Sequence, residues 1–372
     1  MSRVIQTPYP VRRCAAARGG TRVVALSAVL ALTAAGAACT KSASDGDGPS
    51  ANSSAAQQVQ ATSGASGCTP EKYNGGVPKL DLKSITVGFA QSEKEANPFR
   101  ITETQSIKDE AAKRGIKLIT TNAQSDLNKE IADIQGMIAQ GAQALIISPL
   151  NSEGLDPALK QAQDAKVPVM TIDRLLTTKT ACKDYLGWIG SDFVVQGQRA
   201  ADALIQATGD QGQVAILLGA SGVNVTVDRT KGFKDQLAAK SSKLEVVAEQ
   251  TGDFTREKGQ KVTEQLISAN PGITAIYAEN DEMALGAVAA LKGAGKKPGD
   301  IKIITIDGTK GAVQGILDGW IAGVIESNPR FGPLAFQALD DFYSGKGVAE
   351  KTIISDKEYT KDNAQSELVN AY

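Results

Sequence analysis

Short apolar stretches alternate with longer segments of helical periodicity along most of the chain. The apolar stretches predict strands at residues 85–90, 116–121, 144–148, 169–173, 186–189, 213–218, 244–248, 275–278 and 301–306. Between them, apolar residues recur every three or four positions, as at Ile131, Ile134 and Ile138, which predicts helices. This alternation is typical of α/β proteins with a mostly parallel sheet covered by helices on both faces.

Several predicted strands run directly into polar residues before the next helix begins. The residues that follow them include Asp173, Arg174, Asn280 and Asp307. In open α/β sheets the helices withdraw at the carboxyl ends of the strands and leave a crevice in which small ligands bind. The pattern therefore predicts a binding site at this edge.

The alternation breaks between Gly187 and Asp192, where a strand leads through three small or polar residues into a long helix from Phe193. The predicted strands also exceed what one comfortable sheet holds. Units of strand, helix and strand lie on both sides of the break. We therefore predict two similar lobes with a crossover at this point, and one further helix and strand near the carboxyl terminus, at residues 333–343 and 352–354.

Residues 1–39 have the pattern of an export signal. Arginines precede an apolar run from Val23 to Ala35, and small residues follow as far as Cys39. The run is too short for a membrane span of about 20 residues. The sequence from Gly36 to Cys39 resembles a bacterial lipobox, with Gly36 where a leucine is usual, so we predict lipidation of Cys39. An ordinary secretory site nearby is the alternative, and Arg12-Arg13 fits either a twin-arginine signal or a merely basic segment.

Residues 40–80 are predicted to be a flexible tether, because as far as Gly67 they are mostly Ser, Ala, Gly, Gln and Asp. Cys14 would leave with the signal and Cys39 would carry lipid, which leaves Cys68 and Cys182 in an oxidising compartment. We predict that these two form a disulfide. The alternative is two unrelated thiols.

The composition excludes several classes of function. The chain has 372 residues, 42% of them hydrophobic, and its 40 basic and 41 acidic residues are well mixed, so no nucleic-acid partner is expected. Histidine is absent, which removes the commonest general base and the commonest zinc ligand.

The glycine cluster at 293–295 follows a helix and precedes a strand, the reverse of a phosphate-binding loop. We expect no catalytic residue, no metal and no cofactor.

A series of motifs in the same order carries a resemblance to a known family. The motifs are Asn97-Pro98-Phe99-Arg100, Asp173-Arg174, residues 227–233, residues 252–256, residues 280–286 and Ile306-Asp307-Gly308. From about residue 85 to residue 372, the chain resembles the periplasmic sugar-binding proteins of ABC transporters. Within them it resembles the ribose-binding type, and most of all the galactofuranose-binding proteins.

The resemblance implies a type I periplasmic binding protein, with two doubly wound parallel-sheet lobes joined by a three-strand hinge. The N-terminal lobe would comprise residues 81–190 and 329–358, and the C-terminal lobe residues 191–328 and 359–372. Hinge closure would trap one monosaccharide and present it to an ABC transporter permease. We expect a monomer held on the outer face of the cytoplasmic membrane by its lipid.

The resemblance also implies roles for individual residues. Sugar hydroxyls both donate and accept hydrogen bonds, and sugar rings have apolar faces, so charged planar groups and aromatic rings suit them. Asp173, Asn280 and Asp307 would bind hydroxyls, Arg174 and Arg229 would fork onto neighbouring oxygens, and Phe99 and Phe254 would stack on opposite ring faces. Asn97 and Asn328 would add polar contacts, with Glu93 and Glu326 as further candidates at the rim and Asp192 and Asp281 as helix caps.

Arg100 favours one ring form. Pyranose-binding relatives of the ribose type often have a second aromatic residue at this position, whereas galactofuranose-type relatives have an aromatic followed by arginine, as Phe99-Arg100 does here. The resemblance therefore implies a furanose ligand.

Other classes of function compete with this interpretation. A glycoside-acting enzyme could use paired carboxylates among the strand-end acids. A gene regulator with this fold would need a DNA-binding segment ahead of residue 85, where an export signal lies instead. A sensor subunit that passes a sugar or furanosyl signal to a chemoreceptor or sensor kinase stays open as an alternative.

Overall fold

The computed structural model describes residues 59–63 and 67–372, which form two sheets flanked by helices. The strands are β1 (Val59–Ser63), β2 (Thr86–Gln91), β3 (Lys117–Asn122), β4 (Ala144–Ser148), β5 (Val169–Ile172), β6 (Trp188–Gly190), β7 (Gly212–Leu218), β8 (Leu244–Thr251), β9 (Ile273–Ala278), β10 (Lys302–Asp307), β11 (Gly323–Glu326), β12 (Lys351–Ile354) and β13 (Glu358–Tyr359). The helices are α1 (Pro98–Arg114), α2 (Leu127–Ala139), α3 (Asp156–Asp164), α4 (Phe193–Thr208), α5 (Asn224–Ala239), α6 (Arg256–Ala269), α7 (Asp281–Gly293), α8 (Lys310–Leu317), α9 (Gly332–Ser344) and α10 (Ala364–Glu367). The predicted export signal and Cys39 lie outside these residues.

The strands of each sheet are mainly parallel. The first sheet has the order β1-β12-β6-β5-β4-β2-β3, and the second has the order β13-β11-β10-β9-β7-β8. Only β1 and β13 are antiparallel to their neighbours in the described sheets, and both lie at a sheet edge. The predicted fold class, two doubly wound parallel-sheet lobes, is confirmed.

Within the described residues the chain passes between the two sheets at three places, which we call the hinge crossings. The first crossing is residues 191–192, between β6 and α4. The second is residues 327–331, between β11 and α9, and the third is residues 355–357, between β12 and β13. We call the two sheets with their helices the N-lobe and the C-lobe. The residues at which we divided the lobes from the sequence stay a prediction.

Residues 59–63 and 67–80 differ from the expectation of a flexible tether, and residues 59–63 form the strand β1, which pairs with β12. Cys68 is buried and pairs through its backbone with Val348, and a disulfide joins it to Cys182, with 5.2 Å between the two Cα atoms. Tyr73 is fully buried in the N-lobe core, where its ring packs edge-on against Phe342. Burial of an aromatic side chain offsets the conformational entropy that a short polar segment loses when it is ordered, so this part of the chain packs against the N-lobe.

Hydrophobic clusters fill both faces of each sheet. The strands β4, β5 and β9 are buried almost throughout, as expected for parallel strands covered by helices on both sides. No described helix combines the length and the apolar character that crossing a membrane requires.

Candidate functional site

The carboxyl ends of the parallel strands of both sheets face one cavity of about 40 Å³ between the lobes. It is lined by Glu93, Asn97, Phe99, Arg100, Asp173, Arg174, Val225, Arg229, Phe254, Asn280 and Asp307. The volume is about three times the minimum that one ordered water needs, so the cavity has room for more than one water-sized group. Every predicted ligand-binding residue except Asn328 lies on this wall.

Arg100 is the centre of the N-lobe half of the site. It lies in the first turn of α1, and its backbone N–H donates to the side chain of the N-cap residue Asn97 over 2.9 Å. Its guanidinium is 2.8 Å from carboxylate oxygens of Glu93, Glu103 and Asp173. Three carboxylates therefore hold this side chain in one orientation. Burial alone would lower the pKa of Arg100, but the three carboxylates outweigh it and raise the pKa well above its ordinary value.

Glu93 joins the two arginines of this half. One of its oxygens lies 2.8 Å from Arg100 Nε and the other lies 2.6 Å from Arg174 Nη2. Arg174 is almost fully buried and also donates to the backbone carbonyl of Leu150 over 2.5 Å. Burial raises the pKa of Glu93, but Arg174 and Arg100 outweigh it and hold the pKa at about 2. Glu93 is therefore ionised at neutral pH.

Asp173 follows β5 in a left-handed conformation, with φ of 60°. Its carbonyl accepts a hydrogen bond of 2.8 Å from the indole nitrogen of Trp188, which helps to hold this backbone. Residues other than glycine adopt such angles at a cost of about 1–3 kcal/mol, and they cluster at ligand clamps. The strain directs the Asp173 carboxylate toward Arg100 and the cavity.

Arg229 is the cation of the C-lobe half and lies in the second turn of α5. Its Nε donates to the side-chain oxygen of Gln196 over 3.0 Å, and its Nη1 donates to the backbone carbonyl of Glu279 over 2.6 Å. The guanidinium also lies over the ring of Phe193. Among the described residues, the carboxylate within ion-pair distance is that of Asp307, whose Oδ1 is 3.9 Å from Nη2.

Asp307 and Asp281 form a pair of buried carboxyl groups at the end of β10. Asp307 has φ of 142°, and the loop that follows it is held by Asp281 Oδ2, which accepts from the backbone N–H groups of Gly308 at 2.9 Å and Thr309 at 2.7 Å. Burial and the neighbouring Asp281 raise the pKa of Asp307 well above its ordinary value. Burial also raises the pKa of Asp281, to about 7.

Two residues, Asp192 and Asp281, were expected to cap helices, and the expectation is correct for the first and wrong for the second. Asp192 caps α4 by accepting from Val195 N over 3.0 Å, as predicted. Asp281 is not the cap of α7, because Asn280 fills that position and accepts from Met283 N over 3.0 Å. Asp281 instead bridges to the next loop, which a sequence pattern of local caps does not reveal.

The two predicted aromatic residues lie on opposite walls of the cavity. Phe99 packs against Phe331 and Tyr372, with ring centroids 6.5 and 6.2 Å away. Phe254 has φ of 59°, and a Cβ on Gly219 would lie 2.0 Å from its ring, so glycine there leaves room for the aromatic side chain. Both rings are half-buried and border the cavity. Their stacking on a sugar stays a prediction.

Asn328 lies in the second hinge crossing and not on the cavity wall. Its side chain accepts from the backbone N–H of Arg330 over 3.0 Å, which shapes the turn before Phe331. Glu326, which we expected at the rim, lies at the end of β11 and accepts from Tyr359 OH over 3.0 Å and from Lys357 N over 2.9 Å. Both residues contribute to the hinge.

Two residues that support the arginines were not among the predicted site residues. Glu103 lies behind Arg100, and Gln196 lies behind Arg229; both are buried residues of helices. Glu103 had a detectable signal, because it lies three residues after Arg100 on a predicted helix and such pairs face each other. Gln196 had none, since its partners come from distant parts of the chain.

Direct hydrogen bonds also join the lobes outside the cavity. Ser152 N donates to Gly222 O over 3.1 Å, Asn224 N donates to Ser152 Oγ over 2.8 Å, and Leu175 N donates to Asn224 Oδ1 over 3.1 Å. Ser152 and Leu175 follow strands of the N-lobe, whereas Gly222 and Asn224 follow β7 of the C-lobe. We call these four residues the latch. The two lobes are therefore in direct contact, and we call this arrangement the closed cleft.

Comparisons with known proteins agree with this architecture. Residues 87–347 match the family of the periplasmic binding protein domain. The chain is 36% identical over 290 residues to the galactofuranose-binding protein YtfQ of Escherichia coli strain K12, an alignment that covers 76% of this chain and 90% of the relative. It is 38% identical over 272 residues to the ribose import binding protein RbsB of Bacillus subtilis strain 168, with 73% of this chain and 85% of the relative covered.

A solved structure with a bound sugar is similar as well. It is the periplasmic binding protein component of the arabinose ABC transporter from Shewanella sp. ANA-3, bound to α- and β-L-arabinofuranose. It superposes on this chain with a TM-score of 0.73 at 36% identity, and the match covers 76% of this chain and 94% of that chain.

Proposed function

This chain belongs to the periplasmic binding protein family, and on that premise we propose that it captures a monosaccharide in its furanose form in the cleft between its lobes. It delivers the sugar to an ABC transporter permease. The protein is held at the outer face of the cytoplasmic membrane by a lipid on Cys39. Its relatives are binding proteins of import systems, and the chain is a binding protein, not an enzyme.

The observation that carries the proposal is the convergence of Arg100, Arg174 and Arg229 with Asp173 and Asp307 on one cavity between the lobes. Carboxylates accept hydrogen bonds from hydroxyl groups and arginines donate to hydroxyl oxygens, so neighbouring hydroxyls of a sugar find partners of both kinds. Phe99 and Phe254 border the same cavity from opposite walls and suit the C–H faces of a ring.

The preference for a furanose rests on Arg100 and on the relatives. Arg100 follows Phe99 and lies beside it, with the guanidinium 5.0 Å from the ring centroid, so a fixed hydrogen-bond donor fills the place of a second aromatic on this wall. One similar protein is named for galactofuranose, and a similar structure holds arabinofuranose. Both observations favour a five-membered ring.

The mechanism follows from burial. When the lobes close, each sugar hydroxyl leaves water and must find a partner in the cleft, because an unpaired buried polar group costs about 1–3 kcal/mol. An epimer with one misplaced hydroxyl leaves both that hydroxyl and a protein group unpaired, so the site discriminates strongly. The hinge crossings allow closure without loss of packing inside either lobe.

Thermal unfolding of the mature chain against matched pairs of sugars tests this proposal. The pairs are methyl furanosides and methyl pyranosides of D-galactose and of L-arabinose, with D-ribose as a fifth compound. A ligand at about 100 times its dissociation constant stabilises the folded state by about 2.7 kcal/mol. We expect a clear rise in the melting temperature with at least one furanoside and none with its pyranoside.

Two variants serve as controls. Asp173→Ala removes a carboxylate of the cavity and should abolish the rise, whereas Asp164→Ala removes a surface carboxylate that pairs with Lys160 and should leave it unchanged. A rise with pyranosides alone would contradict the furanose preference. No rise with any sugar would contradict sugar binding. Mass spectrometry of the membrane fraction, with and without Cys39→Ser, tests the anchor.

A further inference from the structure

Gln196 lies where the ligand-facing arginine of the C-lobe meets the hinge. It is in the first turns of α4, the helix that begins directly after the first hinge crossing, and its side chain is 1% exposed. Its amide oxygen accepts from Arg229 Nε over 3.0 Å. Its amide nitrogen donates to the carbonyl of Glu326 over 3.1 Å and to Asp356 Oδ2 over 2.8 Å.

These partners belong to different parts of the hinge. Glu326 ends β11, directly before the second crossing, and Asp356 lies in the third crossing. One buried amide thus contacts the C-lobe ends of two crossings from a helix that follows the first. The third partner of the amide, Arg229, borders the cavity.

Neighbouring contacts fix the same end of the hinge. Arg199, one helical turn after Gln196, donates to the carbonyls of Asp356 and Lys357 over 2.8 and 2.9 Å. Glu326 and Lys357 also exchange hydrogen bonds, because Glu326 N donates to Lys357 O over 3.0 Å and Lys357 N donates to Glu326 Oε2 over 2.9 Å. The second and third crossings are therefore bound to α4 before they reach the N-lobe.

We propose that Gln196 is a positioning residue that joins Arg229 to the hinge, so that this arginine and the C-lobe ends of the second and third crossings move as one rigid body. Bending is then confined to the N-lobe side of the crossings. Arg229 arrives at the closed cleft with its guanidinium already oriented. The consequence for sugar affinity rests on the proposed function, whereas the consequence for hinge motion does not.

The geometry argues against a side chain that only fills space. An apolar residue would fill the same volume without needing three partners, and a buried amide is tolerated because its donors and its acceptor are satisfied. Each contact crosses a long distance in sequence, so the amide adds nothing to the local stability of α4. What it adds is the relative position of Arg229 and the two crossings.

The distance between the lobes in the absence of sugar tests the proposal directly. Nitroxide side chains are introduced at Lys108 on α1 and Lys261 on α6, which are exposed and lie on different lobes. The distribution of distances between the two labels is measured in the full mature chain by pulsed electron–electron double resonance. We compare the parent with Gln196→Met, which keeps the length of the side chain and removes its hydrogen bonds. We expect a broader distribution in Gln196→Met, because the crossings lose the Gln196 contacts to α4 and keep those of Arg199.

Gln198→Met is the matched control. Gln198 lies on the same helix two residues later, is half-buried, and forms no hydrogen bond of its side chain within the described part of the chain. The same substitution there should leave the distribution unchanged. An unchanged width in Gln196→Met, or equal broadening in both variants, would overturn the proposal.

Gln196→Glu tests the acceptor and the donor of the amide separately. It also serves as a second variant if Gln196→Met fails to fold. It keeps an acceptor for Arg229 but loses the donor to Glu326 O and brings a carboxylate against Asp356. We expect a broadened distribution with Arg229 still held, so affinity for a furanoside that binds the parent should fall less than the roughly tenfold expected for Gln196→Met. If both variants keep the parent's distribution, the proposal is wrong. If the parent binds no sugar, the proposed function fails while the distance measurement still decides this inference.

Discussion

The two halves of the cleft hold their charges in different ways. In the N-lobe half, Arg100 lies 2.8 Å from three carboxylates, and Glu93 connects it to Arg174. In the C-lobe half, Arg229 donates to an amide and a carbonyl, and its nearest carboxylate oxygen is 3.9 Å away at Asp307. One half is a closed ion network, whereas the other leaves a carboxyl group without a close cation.

This difference indicates how the work of binding is divided. A network whose charges are already paired is rigid and offers a preformed surface, so little reorganisation is needed when a ligand arrives. A buried carboxyl group with weak compensation is costly in the empty cleft, as the raised pKa of Asp307 indicates. A ligand hydroxyl that donates to it removes part of that cost. We infer that the N-lobe half shapes the site and that the C-lobe half gains most from the ligand.

The largest expected effect is on stability, from removal of the central arginine of each half. Arg100→Met leaves Glu103 and Asp173 buried without their cation, and breaking such a network costs about 3–5 kcal/mol. Arg229→Met breaks hydrogen bonds to neutral acceptors and should cost about 1–3 kcal/mol. Urea unfolding at neutral pH measures both values.

Lys160→Met provides the baseline for this pair. Lys160 forms its ion pair with Asp164 at the surface, where 68% and 64% of the two side chains are exposed, and such pairs contribute about 0–1 kcal/mol. Equal losses for Arg100→Met and Arg229→Met, each well above the baseline, would remove the contrast between the halves.

The next effect separates affinity from stability. Asp307→Asn removes a carboxylate that a sugar hydroxyl would contact, and a hydrogen bond to a charged group contributes about 1.5–3 kcal/mol, so affinity should fall by roughly 10- to 100-fold. The free energy of unfolding should stay level or rise, because the amide avoids the cost of burial and the repulsion from Asp281. Calorimetric titration with the furanoside of highest affinity and urea unfolding measure the two quantities.

Asp173→Asn is the matched variant in the other half. Asp173 is a direct partner of Arg100, so its neutralisation should lower both affinity and stability. If Asp307→Asn also destabilised the protein, its carboxylate would be a structural ion and not one reserved for the ligand.

Several cavity-facing residues could be predicted from the sequence because they lie at strand ends, which a local pattern of apolar and polar residues marks. Asp173, Asn280 and Asp307 follow apolar strands directly, and parallel strands bring their carboxyl ends to one edge whatever the details of packing. The strands themselves were recognisable for the same reason. Short strands were missed: β11 has only Val324 and Ile325 as large apolar residues, and β13 has two residues.

The supporting residues could not be predicted in this way. Gln196 acquires its role from Glu326 and Asp356, which are 130 and 160 residues away, and no local pattern marks such contacts. Asp281 lies one residue after the helix cap Asn280 and bonds to the loop after β10. The burial of residues 67–80 depends on the disulfide and on Tyr73, whereas the composition of the region as a whole suggested a tether.

Glu93 in the N-lobe half and Asp281 in the C-lobe half should respond to pH in opposite directions. Glu93 has a folded-state pKa of about 2, below its unfolded value of about 4.3, so its stabilisation is present above about pH 4.3 and is lost as the pH falls toward 2. Asp281 has a folded-state pKa of about 7, above its unfolded value of about 3.9, so stability is lost as the pH rises from about 4 to 7. Between pH 5 and 8 only the second effect operates.

Urea unfolding between pH 5 and 8 measures this slope. One group of this kind contributes at most about 1.4 kcal/mol per pH unit, and Glu130, Glu279 and Asp356 have raised pKa values of the same sign. Asp281→Asn should therefore make the fall in stability less steep without abolishing it. Glu93→Gln should not alter the slope, because Glu93 is ionised in both states throughout this range. A slope unaffected by Asp281→Asn would contradict the assigned shift.

The smallest expected effect comes from the latch, which connects the halves without touching the cavity. Ser152→Ala removes the hydroxyl that accepts from Asn224 N over 2.8 Å and donates to Asn224 Oδ1 over 3.3 Å in the closed cleft. The shorter bond contributes about 0.5–1.5 kcal/mol, and Asn224 Oδ1 keeps Leu175 N as a partner. We expect the affinity for sugar to fall by about 2- to 10-fold, through faster release, because these lobes separate before the sugar leaves and the bond is absent from the open form.

Ser106→Ala distinguishes closure from general stability. Its hydroxyl accepts a hydrogen bond of 3.0 Å from Gly332 N, a contact between α1 and α9 within the N-lobe, so the same chemical change is made without crossing the cleft. Stopped-flow release rates should rise for Ser152→Ala and stay constant for Ser106→Ala, while urea unfolding should detect a loss in the latter. If both variants released sugar at the parent rate, closure would depend on the sugar and the two charged halves alone. The latch would then form as a result of closure and would not change the population of the closed state.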